Sequence, residues 1–395
     1  MSEEIRKEKL RAPISKKELE RRWKAVRGEM AKEKIDCLIM ENSGKYMGGY
    51  IRYFTDFAGS AYHSSLVFPL EHDMTIIAHG GAPMALGPPD WGLFGVKERI
   101  NLPYIPSFNF TNSMAPNAAV NTIKKLNLKS VGIVGMSMMS AFYYEFLKEN
   151  LPGVVIRDAT NLVDDIKAVK SEEEIELLKK TAKMQDIAFG ATLAMIRPGV
   201  REYEIMSEIK RVVTNLGSEQ QLIMIGSAPA GTPSGITNDF LQNRTLKDGD
   251  CITIMIECSG AGGYWCELAR TICIGDAPKA IRDAWDAAVT AQAKSAEALR
   301  PGAKPKDLFE YNNKILTSMG YPPETRVSSH GQGYDVVERP GIRPEETMPI
   351  KANMVISSHP IILSKEAFAY CNDDFLVTDS ETVRIHEFPQ KVYVV

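Results

Sequence analysis

The sequence lacks the features that mark membrane proteins, secreted proteins and nucleic-acid-binding proteins. No apolar run approaches the about 20 residues that a membrane-spanning helix needs. The opening segment, MSEEIRKEKLRAP, is charged and contains no apolar stretch of the kind found in signal peptides. Lysine and arginine (47 residues) nearly balance aspartate and glutamate (50 residues), which gives no basic surface for nucleic acid. We therefore expect a cytoplasmic protein that binds neither membrane nor nucleic acid.

Cysteine is scarce, and low-complexity sequence is absent. The six cysteines are scattered along 395 residues without any C-x-x-C pair. Four of them lie in apolar, strand-like segments, which predicts buried free thiols. Apolar residues make up 44% of the chain. That composition predicts a folded globular protein.

Length and periodicity predict two domains. A chain of 395 residues exceeds one average domain. From residue 1 to 165, short apolar runs such as CLIM and MTIIAH alternate with helical patterns, which is typical of an α/β domain. From residue 166 to 395, a helix, an Arg-Pro-Gly stop and a shorter helix that ends at glycine occur twice, at a spacing of roughly 100 residues. The second part therefore predicts a pseudo-symmetric α+β domain.

The segment from Lys247 to Gly275 predicts a β-hairpin that carries two acids. Asp248-Gly249 is a turn signal, and CITIMIEC and YWCELARTICI are strand-like segments joined by a glycine-rich loop. The acids in these apolar strands are Glu257 and Glu267. A buried carboxylate is costly unless it is paired, coordinated or used. The structural alternative is an edge hairpin with both acids in water.

Three further motifs follow the hairpin: SSHGQGYDVVERPG, MVISSHPII and NDDFLVT. Glycines flank His330, which permits a close approach of the backbone. His359 precedes a proline at the end of a strand-like run, and a packed core histidine is its alternative. Asp373 and Asp374 fit a site or a strand-end turn equally well. These residues are candidates for a site that the hairpin acids share.

Taken in this order, with IKAVKSEEEIELLKK before them, the motifs resemble the creatinase, prolidase and aminopeptidase P superfamily. The resemblance extends over nearly the whole chain. It implies a creatinase-type α/β domain over residues 1–165 and an α+β catalytic domain with the pita-bread fold over residues 166–395. It also implies a hydrolase that acts on C–N bonds and forms a homodimer.

The resemblance also places five metal-ligand positions, and four of them carry an altered residue type here. Metal-dependent members have two aspartates, a histidine and two glutamates where this chain has Glu257, Glu267, His330, His359 and Asn372. Two metal ions carry about +4 of charge and need several carboxylates, so we expect no binuclear centre. A single divalent ion on Glu267, His330 and His359 stays open, because a His₂Glu set binds catalytic zinc.

The remaining candidates come from the same resemblance. Glu338, in VERPG, stands at a proton-transfer position, although Val337 replaces the histidine expected before it. Arg52 and Tyr53 lie in the aromatic segment YIRYFTDF, predicted as a loop that reaches the partner's site and binds an anionic group of the substrate. The further substrate-binding candidates are Tyr264, Arg270, Asp373 and Asp374. For Arg270, pairing with a hairpin glutamate is the structural alternative.

Three functions stay open. The first is a metal-independent hydrolase of a C–N bond in a small molecule, of the creatinase or ectoine-hydrolase kind. The second is a divergent Xaa-Pro dipeptidase with one metal ion, and the third is a non-catalytic binding protein. The segment GSAPAGTPSGITNDFLQNR holds no histidine where creatinase keeps its base. For the first function we therefore expect two histidines and two glutamates, His330, His359, Glu257 and Glu267, to divide the acid and base roles.

Overall fold

The protein is described by a computed structural model that covers residues 2–42, 46–47, 49–57, 62–80, 92–260 and 262–395. Parts of two predicted loops, residues 58–61 and residue 261, lie outside these ranges. The chain divides into two compact units, Met1–Lys167 and Ala168–Val395. The predicted boundary after residue 165 lies next to this division.

The N-terminal unit is built on a six-stranded mixed sheet with the strand order β4-β3-β2-β1-β5-β6. Its strands are β1 (Cys37–Glu41), β2 (Ser64–Pro69), β3 (Met74–His79), β4 (Val96–Leu102), β5 (Ser130–Val134) and β6 (Val155–Asp158). Its helices are α1 (Ser2–Lys9), α2 (Lys16–Glu33), α3 (Tyr50–Thr55), α4 (Met114–Lys125), α5 (Ala141–Asn150) and α6 (Thr160–Lys167). Apolar residues of α4 and α5 form one core with the central strands. The predicted α/β class is confirmed.

Helix α2 has the apolar spacing of an amphipathic helix. Its first turn is capped by Ser15, whose hydroxyl accepts a hydrogen bond from the Glu18 N–H at 3.1 Å. The positions expected to face the core, Leu19, Val26 and Met30, are buried. Here the 3.6-residue period was enough to identify both the element and its buried face.

The C-terminal unit contains four long helices and eleven strands among the residues that the structure describes. The helices are α7 (Glu172–Leu193), α8 (Glu202–Asn215), α9 (Lys279–Ala298) and α10 (Pro305–Ser318). The strands are β7 (Gln220–Pro229), β8 (Asp250–Ser259), β9 (Trp265–Cys273), β10 (Ser329–Gly331), β11 (Glu338–Gly341), β12 (Val355–Ser358), β13 (Ile361–Leu363), β14 (Phe368–Tyr370), β15 (Asp373–Val377), β16 (Thr382–Arg384) and β17 (Tyr393–Val394). The helix pairs α7–α8 and α9–α10 match the predicted duplication.

Two sheets of this unit position the candidate site. One has the order β17-β9-β8-β7 and contains the predicted hairpin as β8 and β9; the other has the order β11-β10-β12-β15-β16. They meet where the backbones of Ala269 and Asn372 exchange hydrogen bonds of 3.2 and 3.3 Å. This bridge brings the strand of Glu267 beside the strand of Asp373. No helix in the described ranges has both the length and the apolar character to cross a bilayer.

Candidate active site

The hairpin places its two acids side by side. Glu257 and Glu267 are direct cross-strand partners, and they are 4% and 3% exposed. Gly260 donates its N–H to the carbonyl of Tyr264, so these two residues form a hydrogen-bonded pair at the end of the hairpin. Hydrogen-bonded and non-hydrogen-bonded pairs alternate along an antiparallel ladder, which makes Glu257 and Glu267 a non-hydrogen-bonded pair. Side chains approach most closely at such pairs. The hairpin therefore concentrates two carboxyl groups in a buried position.

The second sheet contributes a row of three side chains. His330 on β10 is the cross-strand partner of Ser357 on β12, and Ser357 is the partner of Asp374 on β15. Directly opposed residues point to the same face of a sheet. The Asp374 carboxylate accepts a hydrogen bond of 3.0 Å from the Glu267 N–H, which joins this row to the hairpin.

Glu267 lies at the centre of the cluster. Its Oε2 is 3.6 Å from Nε2 of His330, and the Tyr370 hydroxyl donates to its Oε1 at 2.7 Å. The Ser357 hydroxyl lies 3.2 Å from Oε2. Burial alone would raise the pKa of Glu267, but contact with His330 and the positive charge of the two histidines, His330 and His359, lower it to about 2. Glu267 is therefore the anionic member of the cluster.

The pKa values of the two imidazoles are shifted in opposite directions. Their ring centroids are 5.1 Å apart. Burial would lower the pKa of His330, but contact with the Glu267 carboxylate and its negative charge outweigh burial and raise it. The Nδ1 of His330 donates to the carbonyl of Gly331 at 3.0 Å while Nε2 faces Glu267, as expected for a charged ring. Burial lowers the pKa of His359 to about 4, so this ring is neutral.

Three buried polar atoms of the cluster lack a hydrogen-bond partner among the described residues: Glu257 Oε1, Asp374 Oδ1 and His359 Nδ1. Burial, followed by the charges of Glu267 and Asp374, raises the pKa of Glu257 well above its usual value. Burial also raises the pKa of Asp374, to about 7. Buried polar atoms are nearly always satisfied. We infer that these three atoms face the position where substrate and water bind.

Comparison with known proteins agrees with this geometry. A model of metallopeptidase family M24 matches residues 176–385, more than half of the chain. The chain belongs to family M24. Members of a peptidase family are hydrolases that act on C–N bonds, and the predicted enzyme class is confirmed at that level.

Individual relatives are distant. The chain is 26% identical to an Xaa-Pro dipeptidase from Pyrococcus furiosus over 266 residues, which cover 66% of this chain and 74% of that protein. It is 25% identical to a creatinase from a Bacillus species over 411 aligned positions, covering 97% and 93%. An X-Pro aminopeptidase structure from Thermotoga maritima superposes with a TM-score of 0.80 at 19% identity, covering 94% and 99%. These likenesses confirm the superfamily and the pita-bread fold.

The donors of this M24 chain do not fit a two-metal centre. Asn372 brings no charge, and its Oδ1 lies 2.9 Å from the Ser357 hydroxyl. The carboxyl groups of the cluster are those of Glu257, Glu267 and Asp374, and Glu267 already contacts a histidine, so little negative charge is present to offset two divalent ions. In the described part of the chain, no three His, Cys, Asp or Glu side chains are arranged to hold an ion. The single-ion alternative on Glu267, His330 and His359 stays a prediction.

Arg270 and Asp373 pair with each other on the side of the sheet away from Glu267, and their substrate-binding role stays a prediction. Arg270 lies three positions after Glu267, so it points to the other face of β9. Its guanidinium pairs with the Asp373 carboxylate through contacts of 2.7 and 3.1 Å, and both side chains are 0% exposed. The guanidinium also donates to the carbonyls of Phe388 and Pro389. This pair supports the second sheet from behind the site.

Glu338, predicted as a proton-transfer group, contacts a lysine and the loop that follows His330, and its catalytic role stays a prediction. Its Oε2 lies 3.1 Å from Nζ of Lys170, and its Oε1 accepts the Tyr334 N–H at 2.6 Å. A Cβ on Gly333 would lie only 2.2 Å from this carboxylate, so the glycine is needed for the close approach. Glu338 therefore fixes the loop that follows His330.

Tyr264, Arg52 and Tyr53 have structural contacts instead of the predicted substrate contacts. The Tyr264 hydroxyl donates to Glu174 at 2.8 Å. Arg52 and Tyr53 lie in helix α3 and not in a loop. Tyr53 is fully buried under the guanidinium of Arg22, and Arg52 Nε is 3.6 Å from the Asp56 carboxylate. The substrate role proposed for these residues has no support, and the homodimer stays a prediction.

Four residues of the cluster were missed: Tyr370 and Ser357, which contact Glu267, and His386 and Gln185, which lie behind Asp374. The Asp374 N–H donates to Nδ1 of His386 at 3.1 Å, and Nε2 of His386 donates to Oε1 of Gln185 at 2.8 Å. Burial lowers the pKa of His386 to about 3, so it is a neutral positioning residue. A strand period of two places Ser357 on the same face as His359, so this period could have identified Ser357 as a candidate.

Proposed function

We propose that the protein hydrolyses a C–N bond in a small molecule through two imidazoles of opposite protonation, without a binuclear metal centre. One observation carries this proposal. A charged His330 contacts Glu267, and the ring centroid of His330 lies 5.1 Å from that of a neutral His359. Such a pair supplies a general acid and a general base at one position. A second buried carboxyl group, Glu257, lies opposite Glu267.

The proposed reaction uses these groups in a fixed order. Nδ1 of neutral His359 takes a proton from water, and the water oxygen attacks the carbon of the scissile bond. His330 gives its proton to the leaving nitrogen as the C–N bond breaks. One proton then returns from His359 to His330. The centroids of the two rings are 5.1 Å apart. Glu267 stays ionised and keeps His330 charged between turnovers.

The open oxygen atoms indicate the class of substrate. Glu257 Oε1 and Asp374 Oδ1 are hydrogen-bond acceptors without a partner among the described residues. Carboxyl groups in this position suit N–H donors, and a bound cationic nitrogen would ionise them by lowering their raised pKa values. Guanidino and cyclic-amidine compounds are therefore the first substrates to screen, with lactams and dipeptides as the comparison set. A turnover confined to Xaa-Pro dipeptides would favour the peptidase alternative.

Metal content separates these alternatives. We expect the protein purified without chelator to contain clearly less than one equivalent of divalent metal by elemental analysis. About two equivalents per chain would contradict the proposal and support the peptidase function. One equivalent that is lost in His330→Ala would support the single-ion site. A matched control is the double variant His359→Glu, Asn372→Glu, which restores two carboxylates and should bind more metal than the unaltered chain.

The pH dependence follows from the two histidines. His359 must be neutral, so the rate should fall as the pH drops through about 4, the pKa of this group. His330 must be charged, so the rate should fall again as the pH rises through its raised pKa. Glu267→Gln removes the negative charge that raises the pKa of His330, so the alkaline limb of kcat/KM should move to lower pH. Tyr370→Phe keeps that charge and should leave the limb in place.

An alkaline limb that is unchanged in Glu267→Gln would show that His330 is not the acid. Because the two rings and the two carboxyl groups interact, each limb reports the cluster as a whole. The comparison of Glu267→Gln with Tyr370→Phe is therefore more informative than either limb alone. Both variants are measured on the same substrate over the same pH range.

We also propose a cytoplasmic location. The six cysteines are free thiols in the structure, and all of them are buried. Free thiols are typical of proteins kept in a reducing compartment.

A further inference from the structure

The hairpin that carries Glu257 and Glu267 also carries two directly opposed cysteine pairs. Cys251 faces Cys273, and Cys258 faces Cys266. The Ile274 N–H donates to the carbonyl of Asp250 at 2.9 Å, so the next pair of the ladder, Cys251 and Cys273, is non-hydrogen-bonded. The two Sγ atoms of this pair are 3.3 Å apart.

We propose that Cys251 and Cys273 are an oxidation site that closes to a reversible cross-strand disulfide. Opposed residues at a non-hydrogen-bonded pair have Cα atoms about 4.5 Å apart, within the range that a disulfide spans. The sulfur atoms need to approach by only about 1.3 Å to reach bonding distance. The backbone can therefore keep its register while the bond forms.

The surroundings of the pair permit this small movement. Cys251 and Cys273 share a core with helix α9, which contributes Ile281, Trp285 and four alanines, Ala284, Ala287, Ala288 and Ala291. The carbonyl of Cys273 accepts the Val395 N–H at 3.0 Å, and the two-residue strand β17 pairs with β9 beside it. A strand this short opens locally at low cost and admits a small oxidant.

The other pair differs in its contacts. The Cys266 thiol donates to the carbonyl of Leu178 at 3.3 Å, and Cys258 Sγ accepts from the Gln185 side chain at 3.7 Å. These bonds hold the two sulfur atoms toward helix α7 instead of toward each other. Counting along the ladder places this pair at a hydrogen-bonded position, where side chains lie farther apart. Cys258 and Cys266 are therefore the internal control.

The oxidation needs a small disulfide, such as oxidised glutathione, as co-reactant. The hydrogen bond from Cys273 lowers the pKa of Cys251, which favours Cys251 as the attacking thiolate. It attacks the small disulfide and releases one small thiol, leaving a mixed disulfide on Cys251. Cys273 then attacks that sulfur and releases the second small thiol. Two protein S–H bonds are lost, one S–S bond forms, and the small disulfide is reduced.

The test is thiol counting on the folded, full chain after exposure to oxidised glutathione. We expect the free thiols measured after denaturation to fall from six to four. Peptide mapping should find one Cys251–Cys273 link, and dithiothreitol should reverse it. Cys273→Ser removes the resolving thiol and should leave a glutathione adduct on Cys251. Cys266→Ser should still form the Cys251–Cys273 link.

Three results would overturn the proposal. The first is a folded protein that retains all six thiols under these conditions. The second is a link that maps to any other pair, and the third is a Cys251–Cys273 link that forms only in denaturant. The mapping of the unaltered chain needs no variant, so a poorly folded cysteine variant does not affect the conclusion.

Discussion

His330→Ala and His359→Ala are each expected to lower kcat by about 10²–10⁴-fold, the range of a general acid or base. His330 loses the proton that the leaving nitrogen needs, and His359 loses the group that activates water. The measurement is steady-state kinetics on the best substrate of the screen, with circular dichroism to confirm folding. His72→Ala alters an exposed histidine of the N-terminal unit and should leave the rate unchanged.

Near-full turnover in both histidine variants would exclude the proposed mechanism. A large loss in only one of them would assign a single acid–base group and leave the other ring a binding role. If both variants lose activity but still bind substrate, the two rings act in the chemical step. Substrate binding is measured separately by calorimetry.

Asp373→Ala is expected to lower the free energy of unfolding by about 3–5 kcal/mol, because it leaves the guanidinium of Arg270 buried without its partner. Both side chains of this ion pair are 0% exposed. Urea denaturation measures the loss. The matched control is Glu387→Ala, which removes an ion pair with Lys183 at the surface and should not shift the midpoint measurably.

Asp373 lies on the second sheet, which also carries the His330 row, so activity and stability should fall together in Asp373→Ala. An unchanged urea midpoint in Asp373→Ala would show that the carbonyls of Asn372 and Phe388, which accept from the Arg270 guanidinium, are sufficient partners for it. That result would contradict a stabilising role for Asp373.

The fold was accessible from the sequence because local patterns agree with one another. A capping box of Ser171 and Glu174 begins α7, and the predicted turn at Asp248-Gly249 precedes β8. The order of motifs around His330 then indicated the superfamily. Each of these signals depends on neighbouring residues, which a sequence displays directly.

The site was accessible only in part, because side-chain direction depends on partners far along the chain. Arg270 and Glu267 are three positions apart on one strand, and alternation alone shows that they cannot face the same cavity. Applying that period would have removed Arg270 from the candidates and would have kept only one of Asp373 and Asp374. Tyr370 lies 103 residues from Glu267, and no local pattern indicates their hydrogen bond.

Lys170 determines where the chain can be divided. Its backbone N–H donates to the carbonyl of Asn353 at 2.9 Å, and its side chain pairs with Glu338. A truncated chain beginning after this lysine would separate Glu338 from its cation and release the loop beside His330. Truncations, chimaeras and circular permutants of the catalytic unit must therefore retain the peptide from Ala168 onward, although this stretch precedes the first helix of the unit.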